Sequence, residues 1–281
     1  MIVVCGATGI AVTSHSAGTR LVYLLGHPVA HSVSPQIHAA AFAAAGIDAV
    51  YLACDVAETQ FAAAVTGLRA LGALGANVTV PYKRTVLNLV DELTPEAQAV
   101  GAVNTLWFRD ERLLGDNTDA SGLGDVLDTI GLQSGEQVLL LGAGGAARAA
   151  AVALGRRRAS VEVVARREQA AAEVAALATG AGATSTVVAH PRLVVNATPL
   201  GLHGESLPQR FMDLSAGQVA LDLVYAATAT PFVAAARAAG AQALDGRGML
   251  VAQAARSFQR WTGRMPSRAV MDAAAAAALQ R

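Results

Sequence analysis

Lysine is almost missing from this chain. Of its 21 basic residues 20 are arginine, and the one lysine is Lys83. Cysteine is nearly as scarce. Cys5 and Cys54 are the only two and lack metal-ligand spacing, so neither a disulfide framework nor a metal site is expected, and a reducing cytoplasm suits the chain. Aromatic residues make up only 4%, and the 53% hydrophobic fraction is largely alanine, which suits helices packed closely on sheets. Formal net charge is zero, so no basic face for nucleic acid is implied, and Arg156-Arg157-Arg158 reads as a solvated helix end. No apolar run reaches the roughly 18 residues of a membrane helix. Met1 to Thr19 has no basic stretch ahead of its apolar residues, so a signal peptide is not expected either. Gly6-Ala7-Thr8-Gly9 starts like a nucleotide loop, but no third glycine follows, and this segment is read as an extension without chemistry.

Against that background Lys83 stands out. Arginine stays protonated in proteins, whereas a lysine can pass a proton. It closes the stretch Ala76-Asn77-Val78-Thr79-Val80-Pro81-Tyr82-Lys83. Read as a strand from Ala76 to Val80, period-2 alternation puts Asn77 and Thr79 on one side, where they and Lys83 can converge on a small polar ligand.

Strands and helices alternate around it. Leu21 to Gly26, Ala49 to Val56 and Ala76 to Val80 read as strands, with helices over about Pro35 to Ala45, Thr59 to Leu71 and Lys83 to Leu93. Thr94-Pro95-Glu96 opens another helix with a cap and a proline, and Arg109-Asp110-Glu111 reads as a hairpin turn. This spacing predicts βαβ units and a mainly parallel sheet. Ser32 and Ser34, just before the first helix, read either as turn and cap residues or as two hydroxyls able to hold a carboxylate at a helix N-terminus.

The pattern restarts at Gln137. A buried strand, Val138 to Leu141, runs into Gly142-Ala143-Gly144-Gly145-Ala146-Ala147, a G-x-G-x-x-A pattern between strand and helix that lets a pyrophosphate approach the helix N-terminus. After the next strand, Val161 to Val164, an NAD site usually carries an acid for the ribose hydroxyl. Here the chain reads Ala165-Arg166-Arg167, and Glu168 lies past the strand end. Guanidinium groups suit a 2′-phosphate, so NADP is favoured over NAD, the bland alternative being ordinary surface arginines. Leu193 to Gly201 reads as a strand ending in a polar loop and Val219 to Leu223 as another strand, with Asp222 and Tyr225 at its C-terminal end, where open α/β sheets bind ligands. Gly246-Arg247-Gly248-Met249 reads as a tight turn before a helix carrying Gln253, and a last helix begins near Pro266.

Seven of these motifs, in order, resemble the shikimate dehydrogenase family from about Leu21 to the C-terminus. They are His31 to Pro35, Ala76 to Lys83, Gly101-Ala102-Val103-Asn104-Thr105, Gly115-Asp116-Asn117-Thr118-Asp119, Gly142 to Ala146, Asn196-Ala197-Thr198-Pro199-Leu200-Gly201, and Gly246 to Gln253. The resemblance implies an α/β fold of two domains with the active site in the cleft between them. Residues 1–118 and 246–281 would form the substrate domain and 119–245 a Rossmann-type NADP domain. By the same resemblance Ser32 and Ser34 hold the substrate carboxylate with Tyr225 nearby. Asn77, Thr79, Asn104 and Gln253 contact the substrate, and Lys83 with Asp119 carries acid–base chemistry. Gly142, Ala143, Gly144, Gly145, Ala146, Arg166, Arg167, Thr198 and Gly246 would meet the cofactor.

The implied reaction is reversible reduction of 3-dehydroshikimate to shikimate with NADPH, Lys83 supplying the proton and Asp119 orienting its ammonium. A monomer or a homodimer would suit the family. Three positions depart from the family's pattern, the first bearing on NADP preference and the other two on the cleft near the ring. Ala165 stands where many members have asparagine, Ala120 where glycine often follows the aspartate, and a proline commonly found after Tyr225 is missing. A paralogue acting on quinate or a related cyclitol acid, with NADP or with NAD, is the alternative. Retention of both Lys83 and Asp119 argues against a non-catalytic binder.

Overall fold

Alternating apolar runs and helical segments build two six-stranded sheets, one after the other along the chain. The computed structural model describes residues 15–280, so Cys5 and Gly6-Ala7-Thr8-Gly9 lie outside the described residues. The first half runs β1 (Arg20–Gly26), α1 (Ser34–Ala45), β2 (Ala49–Asp55), α2 (Phe61–Ala70), β3 (Gly75–Val78), β4 (Glu92–Leu93), α3 (Pro95–Val100), β5 (Thr105–Arg109) and β6 (Arg112–Asp116). Helix α4 (Thr118–Ile130) leads into β7 (Gln137–Leu141), α5 (Gly145–Arg156), β8 (Ser160–Val164), α6 (Glu168–Gly180), β9 (Thr184–Ser185), β10 (Leu193–Asn196), β11 (Val219–Asp222), α7 (Pro231–Ala238) and β12 (Gln242–Leu244). Two helices close the chain, α8 (Arg247–Thr262) and α9 (Arg268–Leu279).

The first sheet has the order β2-β1-β3-β5-β6-β4 and the second β12-β11-β10-β7-β8-β9. The second is parallel throughout, with β7 at its centre and the strand order reversing beside it. The first is parallel except where β5 pairs antiparallel with β3 and β6. The β5–β6 pair is closed by the hairpin read at Arg109: Asp110 and Glu111 both take positive φ, as a two-residue turn matched to strand twist requires.

The last two helices return to the first sheet. Phe258 and Trp261 of α8 and Met271 of α9 share one core with Val22, Leu24, Phe42 and Trp107, while α2 covers the opposite face through Phe61, Val65 and Leu68. Helix α4 packs on α8 on one side and α5 on the other, so it ties the two sheets together. Among the described residues no helix is long and apolar enough to cross a membrane.

Four local expectations change. The stretch after Lys83 is not a helix to Leu93. It forms a five-residue 3-10 turn, Thr85–Leu89, before extended backbone and β4, because Thr85, Val86 and Asn88 are weak helix formers and Val86 is drawn into the core under α2. Strand β3 stops at Val78 rather than Val80. Thr79 N–H still donates to Leu25 O at 2.9 Å, but Pro81 has no N–H and the chain turns there. Ser34 is the first residue of α1, not its cap; Val33 holds the cap position, and Ser32 Oγ accepts from Ser34 N–H at 3.3 Å. The tight turn at Gly246 is the first turn of α8 itself, Gly246 holding its cap position.

The basic run at the end of α5 is more than solvated. Arg156 donates to both Glu96 oxygens at 2.7 and 2.5 Å, and Arg157 to Gly124 O and Asp128 Oδ1 at 2.5 Å each, so two of its guanidinium groups link α5 to α3 and α4.

One buried group sets an acid limit on stability. His38 of α1 is fully buried and stacks on Tyr51 with ring centroids 4.5 Å apart. Neither of its ring nitrogens has a hydrogen-bond partner among the described residues. Burial lowers its pKa from 6.5 to about 3. The folded state therefore binds this proton later than the unfolded state, and stability falls as pH drops through that window. The expected slope from this group is about 1.4 kcal/mol per pH unit. Denaturant titrations of the protein and of His38→Phe across the same window should show the variant's dependence shallower by about that much; identical slopes would contradict the assignment.

Candidate active site

The C-terminal ends of β1, β3 and β11 and the start of α8 enclose a cavity of about 170 Å³. Its polar wall carries Ser32, Ser34, Asn77, Thr79, Lys83 and Asn104, and Asp119, Tyr225 and Gln253 complete it. All nine substrate and catalytic residues expected from the sequence thus meet in one cleft, and Ala146 and Gly246 reach it from the cofactor side.

Lys83 is carried by an anchored loop. Tyr82 stacks on Phe61 with centroids 4.1 Å apart, its hydroxyl donates to Val56 O at 2.6 Å, and Lys83 O accepts from Val103 N–H at 2.8 Å. The lysine Nζ then reaches Asp119 Oδ2 at 2.7 Å. The pair is largely withdrawn from water, the side chains keeping 18% and 6% of their exposure. Asp119 lies in the first turn of α4, where the helix N-terminus favours a carboxylate. Asn117 caps that helix by accepting from Asp119 N–H at 3.1 Å, and Asn104 Nδ2 donates to the second Asp119 oxygen at 2.8 Å. Both carboxylate oxygens are engaged, so the ammonium is presented in a set direction rather than on a free tether.

At the far end of the cleft the serines meet two phenols. Burial pushes the Tyr225 phenol above its ordinary pKa, with the Ser32 hydroxyl working against the rise. Burial likewise pushes Tyr51 up, opposed by Ser34. The Tyr225 phenol and the Ser32 and Ser34 hydroxyls, all lining the cavity with no acidic side chain among them, form a donor cluster suited to a carboxylate. Asp222, read with Tyr225 as a ligand-end residue, is turned away from the cavity. It accepts from Asn196 Nδ2 at 2.9 Å, Thr230 Oγ1 at 2.6 Å and Val224 N–H at 3.0 Å, and so fastens the β10 and β11 ends to α7.

The glycine loop follows β7. Gly142 has φ +115°, and a Cβ there would lie 2.7 Å from Ala197 O, so only glycine fits. Gly144 holds the cap position of α5 without a side-chain cap, leaving the first N–H groups of that helix for an anion. Gly145 abuts the lysine: a Cβ would come within 3.2 Å of Lys83 Cδ. The loop and the Lys83 stem are thus neighbours across the cleft. Arg166 and Arg167 are exposed just past the end of β8, Arg167 at the cap position of α6, and Thr198 is held by Asn196 Oδ1, which accepts its hydroxyl at 2.7 Å. These residues and Gly142 to Gly145 border the second sheet rather than the cavity itself. Their cradle fits a dinucleotide carrying an extra phosphate.

Sequence reading missed Tyr51, whose hydroxyl donates to Asn77 Oδ1 at 2.9 Å, and Ser257, which meets Asn77 Nδ2 at 3.0 Å. The first sits in an ordinary strand and the second in mid-helix, with no local signal. Among the described residues no three His, Cys, Asp or Glu side chains converge as a metal site.

Known proteins resemble this chain in sequence and fold. The family model for the shikimate dehydrogenase substrate binding domain matches residues 24–106, and that for the shikimate 5′-dehydrogenase C-terminal domain matches residues 246–276. A shikimate dehydrogenase (NADP(+)) of an Anaeromyxobacter species is 45% identical over 272 residues, spanning 92% of this chain and 96% of its own. The shikimate dehydrogenase (NADP(+)) of Moorella thermoacetica is 44% identical over 272 residues, spanning 91% and 92%. The shikimate 5-dehydrogenase of Thermus thermophilus, solved with NADP(H) and shikimate, superposes with a TM-score of 0.83 at 38% identity, covering 92% of this chain and all of that one. With the cleft, the glycine loop and this extent of identity in agreement, the chain belongs to the shikimate dehydrogenase family.

Proposed function

We infer that this protein is an NADP-dependent shikimate dehydrogenase, interconverting 3-dehydroshikimate and shikimate. The observation that carries the reading is the Lys83–Asp119 pair at 2.7 Å, set between the serine–tyrosine end of the cleft and the glycine loop. Ser32, Ser34 and Tyr225 hold the ring carboxylate. Asn77, Thr79, Asn104 and Gln253 surround the ring hydroxyls. Gly142, Ala143, Gly144, Gly145 and Ala146 receive the pyrophosphate, with Thr198 and Gly246 beside it, and Arg166 and Arg167 take the 2′-phosphate. When bound, the nicotinamide supplies or accepts the hydride.

Lys83 moves the proton. In the reducing direction its ammonium donates to the oxygen developing at C3, and in the oxidising direction its amine takes the hydroxyl proton. Asp119 aims the ammonium and accepts from the substrate hydroxyl. The pair is shielded from bulk water, where a charge-assisted hydrogen bond is stronger. Residues 1–118 and 246–281 serve as the substrate domain and 119–245 as the cofactor domain. A monomer or a homodimer would suit this reading, and scarce cysteine supports a reducing cytoplasm as its setting.

Initial rates with shikimate and with quinate, each paired with NADP and NAD, test the reading. Fast turnover is expected with shikimate and NADP. Preference for quinate or NAD would move the enzyme to the paralogue class, and binding without turnover in any pairing would overturn the catalytic role.

A further inference from the structure

Behind the cleft wall, three hydroxyls meet that no catalytic step uses. Ser257 of α8 is fully buried, its Oγ 2.8 Å from Thr105 Oγ1 of β5 and 3.2 Å from Thr118 Oγ1 of α4. The side-chain amide of Asn77, on β3, reaches the same point at 3.0 Å. Four elements thus bring polar atoms together in a dry place, where groups are tolerated only when they satisfy one another.

The backbone settles which way each amide faces. Asn104 O lies 2.9 Å from the Asn77 side-chain nitrogen, and a carbonyl only accepts, so the amide group there is NH₂. Its other proton turns to Ser257 Oγ, with Thr105 Oγ1 next at 3.2 Å. Asn77 Oδ1 accepts from the Tyr51 hydroxyl and keeps a second lone pair. In the same way Thr118 N–H only donates, so the Asn104 atom 2.9 Å away is Oδ1. Asn104 Nδ2 therefore divides its two protons between Thr118 Oγ1 at 2.9 Å and Asp119 Oδ1 at 2.8 Å. Both amides spend their protons inside the protein.

We propose that Ser257 is a positioning residue for the reaction. Its hydroxyl holds Asn77 so that this side chain meets a ring hydroxyl of the substrate as an acceptor. Through Thr105 and Thr118 the same cluster steadies Asn104, which in turn aims Asp119 at Lys83. This rests on the shikimate dehydrogenase reading and adds to it the hydrogen-bonding sense of Asn77.

Ser257→Ala removes the hydroxyl, and Thr105→Val removes its neighbour without changing shape, while Thr105→Ser keeps it. In Ser257→Ala, KM for shikimate should rise about two- to tenfold, the weight of one neutral hydrogen bond, with KM for NADP unchanged. Thr105→Val should follow in the same direction and Thr105→Ser should behave as wild type. Against analogues of shikimate each lacking one ring hydroxyl, the wild type should discriminate, and Ser257→Ala should lose that discrimination for one of them. Side-chain amide exchange by NMR should quicken for Asn77 in Ser257→Ala by about the same factor. Equal losses toward substrate and cofactor, or unchanged Asn77 exchange and unchanged hydroxyl discrimination, would overturn the proposal. A wild type inactive on shikimate contradicts the functional reading alone, and the exchange measurement then decides the role of Ser257.

Discussion

Replacing Lys83 by arginine is expected to lower kcat for shikimate oxidation by about 10²–10⁴, the usual scale of general acid–base catalysis. The variant keeps a positive charge opposite Asp119, so electrostatic attraction and substrate binding are largely retained. What it loses is proton transfer, because a guanidinium stays protonated at any working pH. Geometry adds to the loss. The lysine stem lies against Gly145, with a virtual Cβ only 3.2 Å from Cδ, so the bulkier guanidinium has little room to reach the same point. Steady-state rates at saturating shikimate and NADP, with cofactor binding measured separately, provide the check. Near-normal kcat would falsify the assignment of Lys83 as the proton carrier.

The second large effect is expected at the cofactor. Arg166→Ala should raise KM for NADP by about 10- to 100-fold while leaving KM for NAD unchanged, since hydrogen bonds to charged groups contribute roughly 1.5–3 kcal/mol. Arg166 is exposed at the end of β8, where salt screens part of this attraction, so the effect should shrink as ionic strength rises. Arg167 stands at the cap position of α6, beside the first free N–H groups of that helix. Its removal in addition should deepen the loss. Kinetics with both cofactors at low and high salt separate the outcomes. Parallel rises in KM for NADP and NAD would mean that Arg166 acts on the loop rather than on the 2′-phosphate.

Much of this was legible because the signals are local. The glycine pattern before α5, the Thr94 cap with Pro95, the two-residue hairpin at Asp110-Glu111 and the exposed Arg166 each depend on neighbours a few residues away. The β3 end shows the limit of such reading. Alternation correctly put Asn77 and Thr79 on one side, yet the regular strand stops at Val78 because the chain turns at Pro81. The turn after Lys83 shows it again, since burial of Val86 under α2 is a tertiary fact that no helix periodicity contains.

The sequence by itself determined the two α/β halves and the glycine loop before α5, and it singled out Lys83 as the one lysine, since periodicity, backbone freedom and side-chain type belong to individual residues and their near neighbours. Only the tertiary structure decided that Asp119 bonds Lys83 through one oxygen and Asn104 through the other, that Asp222 is a fastener rather than a ligand residue, and that Ser257 meets Asn77 across 180 positions of chain. The last of these contacts arises from α8 returning to pack on α4 and the first sheet. The closing of so distant a loop is governed by complementary apolar surfaces, not by any pattern along the chain.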